Sequence, residues 1–179
     1  MLKYKRTKDK GERTLFENGS LVVYGVSGVC RVESRQHMDF GTGSKEYYIL
    51  VPISSDSSKI YVPVANDQLV AKMKRVMSAE EIKSLIKKLP EMEEIWDDDS
   101  SARKEKIKAI LDSGDRVMQI RLIRTLYNKK VEREKNGKKL WAFEEYAMNS
   151  AEKNLYEEFA VVLGIRPDQV VRYIAGELE

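Results

Sequence analysis

The chain is poor in the residues that build metal centres, disulfides and membrane spans. A single cysteine, Cys30, cannot close an internal disulfide, and with a single histidine, His37, it cannot supply a zinc cluster. Cys30 lies in the apolar alternation VCRV and reads as a small core residue. His37 has no serine or cysteine at a nucleophile turn beside it to act on as a base. No run approaches the roughly 18 to 20 apolar residues of a membrane helix. The basic start MLKYKRTKDKGER lacks the apolar stretch of a secretory signal, so a cytoplasmic protein without a membrane partner is expected. The glycine segments GVSG and GTGS fall between short strands, where they read as hairpin turns and not as phosphate loops. Asp97, Asp98 and Asp99 read as a solvated cap or linker, because consecutive side chains cannot converge on one cation. With no paired carboxylates, triad or metal cluster, the sequence points away from an enzyme, a cofactor, a metal and a small-molecule substrate.

What the chain does have is an ordinary apolar content, 42%, and an uneven distribution of charge. The net charge is only +3, yet residues 103 to 139 hold 13 basic and five acidic groups. Such a block is the electrostatic footprint of a polyanion partner, or a solvated helical surface.

The pattern along the chain changes twice. Residues 1 to 15 are polar, lysine-rich and aperiodic and read as a mobile tail. From Phe16, short β-branched and aromatic runs follow: LVVY, VCRVES, EYYILV and KIYVPV, four strands at hairpin spacing. Pro63 has no N–H to give a ladder, which puts its part of the last strand at an edge or a bulge. Ser78-Ala79-Glu80-Glu81 is a capping box, and Ile82, Leu85, Ile86 and Leu89 follow at helical spacing until Pro90 ends or kinks the helix. Further helices are expected at roughly 101 to 112, from Asp115 to the Asn136-Gly137 turn, from Ala142 to Leu163, and from Pro167. The third has an apolar stripe of Val117, Ile120, Ile123, Tyr127 and Val131. The expected architecture is therefore α+β. A small SH3-like or Tudor-like β-barrel over residues 16–75 precedes an all-helical domain of about five helices over residues 78–179.

Within the basic block, Arg103, Lys104 and Lys106 lie along the second helix, and Arg116, Arg121, Arg124, Lys129 and Lys130 along the third. These are the candidates for phosphate contacts. Trp96, at the end of a helix beside the acidic turn, is either a core residue or an apolar wedge for a minor-groove base step. Trp141, beside Leu140, reads as a core anchor.

The segment FENGSLVVYGVSGVCRVES resembles the N-terminal signature of CarD-type regulators, and SKEYYILVP and KIYVPV are similar to the next strands of that domain. The SGD turn, the helix VMQIRLIRTLYNKKVERE and the ending YEEFAVVLG resemble the family's helical domain, so the resemblance covers residues 16 to about 175. It implies a bacterial transcription regulator whose first domain, related to that of the transcription-repair coupling factor, pairs an edge strand with the RNA polymerase β subunit. The second domain would contact double-stranded promoter DNA at the upstream edge of the bubble, where a tryptophan wedge stabilises the open complex. By position, the polymerase contacts fall near Met38, Phe40 and Tyr61, a more apolar set than the family's usual one. Trp96 is the wedge candidate, although Ser100 occupies the place that the family's spacing gives the tryptophan. The alternative reading is a protein-interaction module whose helical domain only scaffolds.

Overall fold

The computed structural model describes residues 16–41, 43–55 and 57–178. The basic tail expected over residues 1–15 lies outside the described residues. The chain divides into two compact units, one ending at Arg75 and the other beginning at Val76.

In the first unit the period-two runs become antiparallel strands: β1 Leu21–Tyr24, β2 Val29–Asp39, β3 Ser44–Pro52, β4 Ile60–Pro63 and β5 Met73–Arg75, with a short helix α1, Asp67–Val70, between the last two. They form one five-stranded sheet in the order β4-β3-β2-β1-β5. Val22, Cys30, Val32, Tyr48, Leu50, Val62 and Met73 bury one face of it. The barrel expected from the sequence is open, because β4 and β5 remain as two edges instead of pairing. A fifth strand joins the expected four; its three residues, MKR, hold a single apolar side chain and so show no alternation. Pro63 stands on the edge strand β4, as its missing N–H requires.

The register of β2 on β3 shifts between Val32 and Ser34. Because side chains alternate, one extra residue at Glu33 reverses the face of everything after it. Val32 stays opposite Leu50 in the core, while Gln36 comes opposite Tyr47 and Met38 opposite Lys45. Met38 thereby joins the face of Tyr47, which in turn pairs with Pro63 two residues from Tyr61.

The second unit has five α-helices among the described residues: α2 Ala79–Lys87, α3 Ser100–Ser113, α4 Arg116–Lys135, α5 Ala142–Leu163 and α6 Val170–Leu178. The capping box at the head of α2 is formed, with Ser78 Oγ accepting from Glu81 N and Glu81 Oε2 accepting from Ser78 N. Asp99 and Asp115 cap α3 and α4 through side chains that accept from Ala102 N and Met118 N. Two apolar clusters share α4 and α5. One joins Ile82, Leu85 and Ile86 to Ile120, Ile123, Leu155 and Phe159; the other joins Ile107 and Ile110 to Leu122, Leu126, Ala147 and Met148. Packed on both sides, α4 buries Leu122 and Leu126 but leaves Val117 and Tyr127 of its expected stripe exposed. No helix among the described residues is long and apolar enough to cross a membrane.

The expectation that Trp96 ends a helix is corrected. Leu89–Glu91 form a single 3-10 turn containing Pro90, and residues 92–97 then run without helical or strand structure. This strap crosses to α3, and its backbone groups must find partners outside any ladder.

Candidate functional site

The β4 edge is the first candidate. Val64 N donates to Glu46 O at 2.9 Å, so alternate residues of β4 turn their backbone groups towards β3. By that alternation Tyr61 faces the open side with both N–H and C=O, the groups an added strand needs. Its ring, 39% exposed, meets Phe40 edge-on at 5.4 Å, and Phe40, 55% exposed, meets Tyr47 at 5.3 Å. Of the three residues expected there, Phe40 and Tyr61 are in contact, and the half-buried Met38 lies on the same face by register. Two ion pairs stand on the same sheet. Arg35 donates to Glu46 at 2.6 Å and holds that carboxyl below its ordinary pKa, and Lys59, raised by its 2.6 Å bond to Glu33, stays charged.

The basic helices are organised otherwise than expected. Arg121 Nε donates to Glu93 O at 3.1 Å, and the Arg124 guanidinium donates to the carbonyls of Leu89, Pro90 and Met92. Thr125 Oγ1 accepts from Ile95 N at 3.1 Å, and Asn128 bonds the Glu94 side chain at 2.7 Å. One face of α4 thus satisfies the strap's backbone. Arg116 forms a forked pair with the buried Glu158, whose Oε1 also accepts from Met77 N at 2.8 Å. Arg103 is 3% exposed and bonds Glu144, itself fully buried, at 2.9 Å. Four of the expected phosphate contacts, Arg103, Arg116, Arg121 and Arg124, thus have internal partners: Arg103 and Arg116 hold the buried Glu144 and Glu158, which would be stranded without them, and Arg121 and Arg124 hold strap carbonyls. Lys104 and Lys106 are exposed, Lys130 is partly buried, and Lys129 pairs with Glu132 at 2.9 Å.

Around Trp96 the same residues build a stack. The Arg103 guanidinium lies 4.2 Å from the centre of its ring, Lys129 5.3 Å and Arg133 5.7 Å, and the indole N–H donates to Asp98 at 3.1 Å. Trp96 is partly buried against the α3–α4–α5 cluster. Trp141, expected in the core, is instead 49% exposed. The guanidiniums of Arg103 and Arg133 lie 5.2 and 5.6 Å from its ring, and Arg133 also bonds Glu144 at 3.2 Å. Both tryptophans are therefore fixed by one Arg103–Glu144–Arg133 network.

Residues 16–77 match the family model of the CarD-like/TRCF RID domain. The N-terminal unit is a RID domain. This family is a protein-interaction domain of transcription factors and not an enzyme family. No curated protein matches the chain. In the RID domain the residue missed by sequence reading is Tyr47, although the run EYYILV held a signal: with Tyr48 and Leu50 inward, Tyr47 must face outward with Tyr61. Trp141, beyond the RID domain, gave no such signal. Its spacing to Met148 and Leu155 points inward, but as an N-cap with extended backbone, φ −72° and ψ 152°, it leaves the helical stripe.

Proposed function

We propose that this chain is a transcription regulator whose RID domain binds the RNA polymerase β subunit along β4 and whose helical unit faces promoter DNA, setting the stability of the open complex. The observation behind it is the open β4 edge beside the Phe40–Tyr47–Tyr61 cluster in a domain of this family. An incoming strand would pair with Tyr61 while its side chains meet Met38, Phe40 and Tyr61. Pro63, lacking an N–H, keeps the pairing short. On the DNA side the reading rests on Lys104, Lys106, Lys129 and Lys130 for phosphates and on Trp96 as the wedge.

The test is retention of the isolated β subunit by immobilised protein. Wild type retains it, and Phe40→Ser with Tyr61→Ser, both at exposed positions, weakens retention at least about tenfold, as loss of central aromatic contacts does. Failure of wild type to retain the subunit ends this reading. Open-complex lifetime with cognate polymerase, compared between wild type and Trp96→Ala, tests the wedge; equal lifetimes remove it.

A second reading, a protein-interaction module with a scaffolding helical unit, is favoured by the internal use of Arg103, Arg116, Arg121 and Arg124. It predicts no salt-sensitive DNA binding by the chain.

A further inference from the structure

Trp141 closes one side of a cleft of about 690 Å³ at the turn between α4 and α5, whose other walls include Arg133, Asn136, Lys138 and Lys139. The ring, half open to solvent, has three cations for neighbours. Its orientation is set: two guanidiniums lie over the ring, Phe143 meets it edge-on at 6.0 Å, and Arg133 is held by Glu144 and by the Lys139 carbonyl. Ring and guanidinium are thus positioned before any ligand arrives, and the buried Glu144 offsets one positive charge while Lys138 and Lys139 leave their ammonium groups exposed. A fixed indole beside exposed ammonium groups matches a nucleotide of a single strand, whose base stacks while its phosphates are neutralised. A paired base offers its edge and not its face, so a duplex does not use the ring in this way. We infer that the Trp141 cleft binds an unpaired nucleotide of a DNA strand, a contact separate from that of Trp96. The inference rests on the DNA-facing reading of the helical unit.

The chain has two tryptophans, so Trp96→Phe leaves Trp141 as the sole indole reporter in the full-length protein. Adding a labelled single-stranded oligodeoxynucleotide to that variant should quench its emission in step with the rise in label anisotropy. Trp141→Ala in the wild-type background should weaken binding at least about fivefold, as loss of one base stack does, and Trp141→Phe should restore most of it. Anisotropy that rises with unchanged emission overturns the cleft assignment and leaves the DNA-facing reading standing. No anisotropy change at low salt with the wild-type protein overturns the cleft assignment, and the absence of a change with duplex DNA as well overturns the DNA-facing reading. Equal quenching by a free deoxynucleoside monophosphate at matched nucleotide concentration overturns the strand in favour of a small nucleotide.

Discussion

Arg103 shows how little a residue's type says about its use. Its neighbours Lys104 and Lys106 share its helix and sign of charge, yet only Arg103 is buried, stacked on Trp96 and bonded to Glu144 and to the carbonyls of Asp97 and Asp98. A buried ion pair adds little net stability over an apolar pair, but removing one partner leaves a charge uncompensated. Arg103→Ala should therefore destabilise the helical unit by about 3 kcal/mol in urea unfolding, against roughly half a kcal/mol for Lys104→Ala. Equal effects would mean that the pair is solvated. Glu152 makes a complementary case. Partly buried beside Tyr156 on an apolar groove of about 390 Å³, its carboxyl is pushed above the ordinary range by desolvation, only partly offset by Lys130. Tyr156 is pushed up to about 12 by the same desolvation, with Glu152 adding to it. A raised carboxyl favours the protonated folded state. Its stabilising contribution is complete below the unfolded pKa of about 4.3 and disappears as pH rises through the higher folded value. Glu152→Gln should then be more stable than wild type at neutral pH, with the difference shrinking in acid. A difference that grows in acid would sink the assignment.

At the level of elements, the strap of residues 89–97 is the part that side chains and not a ladder hold in place. Arg124 alone serves three of its carbonyls, so Arg124→Met should free it: amide exchange at Met92 through Ile95 should accelerate, with about 2 kcal/mol lost from the unit. Thr125→Val should release the Ile95 amide specifically, and unchanged exchange there would contradict the Thr125 bond. The strap also marks where sequence reading stopped. Strands and helices were legible because their apolar residues recur at 2 or 3.6 and their ends have local chemistry: the Ser78 box, Asp115, Gly164. An arginine aimed inward at a carbonyl has the same spacing as one aimed at solvent, so the internal work of Arg121 and Arg124 left no pattern to find. The bulge at Glu33 was equally silent, since it changes which face Met38 occupies without changing the residues themselves. The candidate edge was therefore half legible: Pro63 announced it and the resemblance supplied Tyr61 by position, while the alternation of EYYILV turned Tyr47 outward and only the register set it on the face of Tyr61.

On the scale of the whole molecule, the question is how much of the basic block is available to a polyanion. Counted from sequence, the helical candidates offered eight cations, Arg103, Lys104, Lys106, Arg116, Arg121, Arg124, Lys129 and Lys130. If each neutralised a phosphate, the logarithm of the duplex binding constant would fall against that of salt concentration with a slope near −7. Four of the eight are occupied by Glu144, Glu158 and the strap's carbonyls, and Lys129 is shared with Glu132. Of these eight, Lys104, Lys106 and Lys130, with Lys129 where it leaves Glu132, support a slope of about −3 to −4 for duplex DNA, and Lys104→Ala should reduce it by about one. On the proposed function, three or four duplex contacts would give weak binding by the helical unit alone, and a polymerase contact held by the RID domain would raise occupancy through a high effective concentration. Titrations of duplex DNA from low to moderate salt measure the slope directly. A value near −7 would mean that further cations, the exposed Lys108, Lys135, Lys138 and Lys139 or the internal arginines, also reach phosphates, and a value near zero would leave the helical unit as a scaffold.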